Sequence, residues 1–158
     1  MHGPRPRPPT RRRGFTLIEL AIAMVVLAIL AAVALPTFTG SIRKSRRSDA
    51  FAALTAVQQA QERWRNNHGA YAPDSLLATA APGGLGQSAT SSSGYYGIAI
   101  TSADATDYVL TATAVSGKSQ AQDANCQVMA MRMQGGNLDY GSGASSAAYP
   151  DASNCWAK

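Results

Sequence analysis

From Phe15 to Leu35 the chain runs for 21 residues with a single charged side chain, Glu19, and the run closes at Pro36. As a helix it would reach ~32 Å at 1.5 Å per residue. That matches the ~30 Å hydrocarbon thickness of a bilayer. Apolar side chains fall on every face, the pattern of a helix surrounded by lipid and not of one lying on a protein surface. The run therefore predicts one membrane-spanning helix over residues 15–35. Its anomaly is the acid. A carboxylate within hydrocarbon costs about 2.5–3.5 kcal/mol at mid-membrane on insertion scales, so Glu19 needs a reason to be there.

Charge upstream of the run is one-sided. Residues 1–13 carry Arg5, Arg7, Arg11, Arg12 and Arg13 and no acid, whereas nine basic and nine acidic residues follow, so the chain is neutral from Gly14 onward. The basic pI therefore says little about what the remainder binds. Charged residues are 15% of the whole, against ~25% in an ordinary soluble domain. Three readings fit the start of the chain. It could be a secretory signal cut after the small residues Ala32-Val33-Ala34, an anchor that is never cut, or a leader removed between Gly14 and Phe15. In the last case Phe15 gains a free amine, and Glu19 lies four residues on, on the same helix face and in the positive first turn. Amine and carboxylate could then pair within one subunit or between two staggered neighbours.

Gly14-Phe15-Thr16-Leu17-Ile18-Glu19-Leu20, after a short basic leader and before a long apolar run, resembles the class III signal of type IV pilins and their pseudopilin relatives. The resemblance implies that a prepilin peptidase cuts after Gly14 and that the new amine of Phe15 is methylated. It also implies that Glu19 pairs with the Phe15 amine of an adjacent subunit during filament assembly. Pro36 is similar to the proline that kinks the pilin helix, with Gly40 a second weak point. Residues 1–14 are then a removed leader and 15–66 one long helix. The topology places the leader in the cytoplasm and the head in the periplasm of a bacterial inner membrane, with an extracellular pilus as the final location. That orientation rests on the resemblance, because five basic residues before the span and four after it give a thin margin.

Beyond Pro36 no proline interrupts the chain until Pro73, so the helix can continue to Asn66 with a bend or local melting at Pro36. Phe51, Leu54, Val57 and Trp64 fall within an arc of about 140°, an apolar stripe able to pack on a sheet. Arg43, Lys44, Arg46 and Arg47 are expected to form a solvated collar just outside the bilayer. DNA is a weaker reading of that run, because no aromatics are interleaved. Gly69 is suited to a left-handed helix cap, Tyr71–Leu77 to one short helical turn, and residues 67–94 form a helix-to-sheet connection.

Alternation predicts strands at Tyr95–Thr101, Asp107–Val115 and Cys126–Met133, with Gly135-Gly136 turning into a short fourth strand around Leu138 and Tyr140. A helix followed by closely spaced strands argues an α+β fold, one long helix on an antiparallel sheet of about four strands. Residues 95–158 hold the sheet and a C-terminal loop. In an oxidising compartment Cys126 and Cys155 are expected to pair, and the resemblance implies the same, since pilins commonly close a C-terminal loop by such a bond. Tyr108–Ala114, Gln120–Asp123, Cys126 and the ending Cys155-Trp156 look most like a minor pilin.

Residues for chemistry are scarce. His2 lies in the leader, His68 stands alone, and Asp104 with Asp107 are far fewer than the six to eight oxygens that calcium takes. No enzyme, cofactor or metal is expected. The leading expectation is a structural subunit of a type IV pilus serving motility, adhesion or DNA uptake. Its partners would be the prepilin peptidase, major and minor pilins, the inner-membrane assembly machinery and, before assembly, lipid. A pseudopilin of a type II secretion system and a periplasmic binding module on an uncut anchor are the alternatives.

Overall fold

The computed structural model describes residues 14–156, and for Leu35, Pro36 and Thr37 the helical backbone only. Apart from Gly14, the leader lies outside the described residues. One helix, α1 (Leu17–Arg65), is followed by four strands, β1 (Tyr96–Ala103), β2 (Tyr108–Ala114), β3 (Val128–Gln134) and β4 (Asn137–Gly143). The helical assignment continues through Pro36, so the local melting allowed there does not occur. Contacts divide the chain into one unit ending at Phe38 and a second beginning at Thr39. The first is the start of α1, with its apolar side chains exposed.

In the second unit the strands form one antiparallel sheet in the order β1-β2-β3-β4. Each neighbouring pair is joined by a connection short enough to keep consecutive strands adjacent. Gly135 and Gly136 have φ of 55° and 81° and make the two-residue turn between Gln134 and Asn137. Positive φ at both central positions is what a type I′ hairpin turn demands. Asp104 organises the β1–β2 hairpin, where its Oδ1 accepts from the backbone N–H groups of Thr106 and Asp107 at 2.8 and 2.7 Å.

Tyr96, Ile98 and Ile100 of β1, Tyr108, Leu110 and Ala112 of β2, and Met129 and Met131 of β3 are buried in one cluster with Leu54 and Val57 of α1. The methionine stripe is core. The helix stripe is displaced from the expected one. Its buried seam runs Ala50, Leu54, Val57 and Gln61, with Ala60 beside it, an i, i+4, i+7, i+11 track. Phe51 (43% exposed) and half-buried Trp64 flank it. Gln61 is fully buried because its amide is answered twice, Nε2 donating to the Ala72 carbonyl and Oε1 accepting the Ala72 N–H, both at 2.8 Å. A buried amide so satisfied escapes the desolvation penalty, and it ties the start of the connection to the helix.

Gly69 is not a left-handed cap, since the glycines with positive φ lie elsewhere. The helix instead tightens at its end, with Asn67 N–H bonded to the Trp64 carbonyl and His68 N–H to that of Arg65. The His68 ring stacks flat on Trp64 at 3.6 Å between centroids.

Candidate functional site

Gly14 is exposed, and a Cβ built there would meet no atom within 4 Å. Phe15 is 88% exposed. Helix α1 opens two residues later on a reciprocal cap that the sequence reading overlooked. Thr16 N–H donates to Glu19 Oε2 at 3.4 Å and Glu19 N–H donates to Thr16 Oγ1 at 3.2 Å. The Thr16 hydroxyl also reaches Glu19 Oε2 at 3.4 Å. Thr-x-x-Glu at a helix start is a capping box, and its signature was present in the sequence. Glu19 thus lies in the first turn of α1, with Oε2 held by its own chain. The following turns expose Leu20, Ile22, Met24 and Val25. Helix α1 is the one helix among the described residues long and apolar enough to cross a membrane.

The basic run at 43–47 is not a solvated collar. Arg47 grips Asp123 with two parallel bonds, Nε to Oδ2 at 2.8 Å and Nη2 to Oδ1 at 2.9 Å, and neither side chain is more than 16% exposed. Arg43 Nη2 donates to Gln122 Oε1 at 2.8 Å. Arg46 donates to Ser119 Oγ and lies over the Tyr95 ring, 4.6 Å from its centroid. Buried Gln120 completes the clamp, donating to Asp123 Oδ2 at 2.8 Å and the Arg43 carbonyl at 3.2 Å. Three of the four cations therefore fasten the β2–β3 connection to α1, and Lys44 alone of the run is exposed. Their partners are some 75 residues away in sequence, so no local pattern could assign them.

Two carboxylates hold loops. Burial pushes Asp49 up, but hydrogen bonds from Ser91, Ser92 and Ser93 outweigh it and keep the group below the ordinary range. In the C-terminal loop burial likewise pushes Asp151 up, but the Ser142 hydroxyl with the backbone N–H groups of Trp156, Cys155 and Ser153 outweighs it and keeps the group below the ordinary range. Cys126 and Cys155 form the disulfide, Cα atoms 5.6 Å apart. The bond does not act alone. Trp156 Nε1 donates to the Gly141 carbonyl at 2.8 Å, and Ser142 exchanges two backbone bonds with Ala148. The C-terminal loop is thus fastened to the end of strand β4 by these bonds as well as by the disulfide.

At the far end of α1 a cleft of about 330 Å³ is bounded by Arg63, Trp64, His68 and Leu85. Arg65 donates to the carbonyls of Ala105 and His68 at 3.0 and 2.8 Å. Asp104 is engaged in its turn, and the described residues contain no group of three or more His, Cys, Asp or Glu able to hold a metal.

Comparison with known proteins gives two family matches. Residues 9–35 match the prokaryotic N-terminal methylation motif, and residues 36–130 match type IV minor pilin ComP, DNA uptake sequence receptor. Among curated relatives, fimbrial protein EcpC of Eikenella corrodens is 33% identical over 102 residues, 65% of this chain and 62% of that protein. Type IV major pilin protein PilA of Myxococcus xanthus is 46% identical over 52 residues, 33% of this chain and 24% of that protein. Type II secretion system core protein G of Pectobacterium carotovorum is 30% identical over 61 residues, 39% of each chain. The matched segments span less than two thirds of these relatives. The ComP match covers more than half of the chain, and it follows directly on the methylation motif. This chain belongs to the type IV pilin family, in the branch of the minor pilin ComP.

Proposed function

We propose that the protein is a minor pilin held in the bacterial inner membrane by residues 15–35, cut after Gly14 by a prepilin peptidase and methylated at Phe15. Assembly with other major and minor pilins carries it into an extracellular pilus through the inner-membrane assembly machinery. The observation that carries this reading is Glu19, a carboxylate at the mouth of an apolar helix, with Oε2 held by Thr16 and Oε1 left outside that cap. A neighbouring Phe15 amine is the cation such an oxygen would take. Without it the acid costs insertion energy for no return. A kink at Pro36 belongs to this reading, and no catalytic step is assigned to the chain.

DNA is the ligand that the family description supplies. The arginines at 43, 46 and 47 are committed to the clamp, so the phosphate contacts fall to exposed Lys44, Arg63 and Lys118, with Trp64 and His68 beside Arg63. Such contacts make binding weaken with salt, by a slope of about −0.9 per phosphate engaged. The test of the main reading is Glu19→Ala in the full chain. The variant should insert and begin at Phe15 by mass spectrometry, yet be depleted from sheared filaments. Normal incorporation, or material that keeps Met1, refutes the proposal. The pseudopilin reading has support in the core protein G match, but that relative aligns with a shorter part of the chain than the ComP family does.

A further inference from the structure

Three observations meet at the outer edge of β4. Ser142 exchanges both backbone bonds with Ala148, N–H to carbonyl at 3.2 and 3.0 Å, on the side away from β3. Bonding direction alternates along a strand, so Tyr140 and Leu138 turn their N–H and C=O groups the same way. The segment beginning at Ala148 does not cover them, because its pairing with β4 is confined to Ser142 and Ala148. Continuing its register sets Pro150 opposite Tyr140, and proline has no N–H to give. Among the described residues no other backbone bond reaches Leu138 or Tyr140 from that side. The edge is open for two residues' worth of pairing.

That edge borders an apolar groove of about 480 Å³. Among the described residues from Thr39 onward, Phe51 and Tyr140 are the exposed large hydrophobic side chains, 43% and 40%. Both pack on the Trp156 ring, at 5.9 and 4.8 Å between centroids. Charge supplies the third observation. Asp139 and Asp151 line the groove, and no lysine or arginine does. The Asp139 side chain is 45% exposed, and only its Oδ2 is taken, by Arg132 at 2.9 Å. On the covered side of β4 the same three residues already have a partner, since Leu138, Asp139 and Tyr140 pair with Met133, Arg132 and Met131.

We propose that the open edge of β4 docks an extended segment of another protein that reads apolar, basic, apolar, adding it to the sheet as a fifth strand. Main-chain bonds to Leu138 and Tyr140 supply the affinity, as in other strand-addition complexes. The two apolar side chains enter the groove beside Phe51 and Trp156, and the cation between them meets the free oxygen of Asp139 from the side opposite Arg132. The pattern repeats what β3 presents. The carboxylates also set this face apart from any surface that takes nucleic acid.

The test uses the full chain in detergent micelles with two synthetic capped pentapeptides, Thr-Val-Lys-Val-Thr and Thr-Val-Glu-Val-Thr. Amide hydrogen exchange at Leu138 and Tyr140 should slow on adding the lysine peptide, with the glutamate peptide binding about threefold to tenfold more weakly, the range expected for a cross-strand charge pair. Asp139→Lys should invert that preference. Leu138→Pro should abolish binding, because it removes an outward donor at an edge position where proline leaves the β3 ladder intact. Equal binding of both peptides, no protection at Leu138 and Tyr140, protection by a duplex oligonucleotide instead, or protection that rises with protein concentration without peptide each overturns the proposal. None of these outcomes depends on whether the chain is cut or assembled.

Discussion

Replacing Asp123 by alanine separates a clamp from a decorative ion pair. In the structure Arg47 gives two bonds to Asp123 and Gln120 gives a third, with the paired side chains 16% and 10% exposed. A surface pair of this type is worth about 0–1 kcal/mol. Breaking a buried pair by removing one partner costs ~3–5 kcal/mol, because the other charge is left desolvated. Arg47 keeps some access to water, which lowers the expectation to about 2–4 kcal/mol. In a head of this size that is a fall in Tm of roughly 8–15 °C. The assay is thermal unfolding of the full chain in micelles, followed by near-ultraviolet circular dichroism under non-reducing conditions. Arg47→Met combined with Asp123→Leu should recover most of the loss, since replacing both charges with packed apolar groups is close to neutral. A loss below about 0.5 kcal/mol for Asp123→Ala, or single costs that simply add in the double variant, would refute the assignment of this pair as the fastening of the β2–β3 connection.

Three further predictions can be checked on the same preparation. Cys126→Ser with Cys155→Ser should destabilise the head by roughly 3–4 kcal/mol from loop closure alone, measured by urea unfolding, while strands β1 to β3 persist. Gly141→Ala should cost about 1–3 kcal/mol as an overpacked site, since its Cβ would stand 2.7 Å from the Ala148 carbonyl oxygen and 2.8 Å from the Tyr149 ring; an unchanged unfolding midpoint would count against the observed path of the C-terminal loop. Asp49 and Asp151 have folded pKa values below their ordinary ones. The stability they contribute is present above the unfolded value of about 3.9 and disappears as pH falls through the lower folded values. Acid titration of the unfolding midpoint should therefore show a loss below about pH 4 that Asp49→Asn makes shallower.

Much of the architecture was written in local pattern. Alternation at Tyr96, Ile98 and Ile100 and at Tyr108, Leu110 and Ala112 marks strand faces that are buried in the fold. Gly135-Gly136 marks a turn that needs two positive φ angles. The Thr16-x-x-Glu19 cap is equally local, a threonine three residues ahead of a glutamate at a helix start. Gly69 misled. A glycine after a helix suits a left-handed cap, but the 3₁₀-type bonds of Asn67 and His68 had already closed the last turn.

By itself the sequence determined that this chain has one run fit for a membrane, a cleavable-looking start with its acid four residues beyond, and an α+β head with two cysteines. Those properties come from neighbours along the chain, where periodicity, charge and length act directly. Tertiary structure decided what the arginines at 43, 46 and 47 do, which side of α1 is buried, and that the last strand keeps an open edge. Each depends on groups tens of residues apart meeting in space, and a guanidinium is read as solvated or clamped only when the carboxylate opposite it is known.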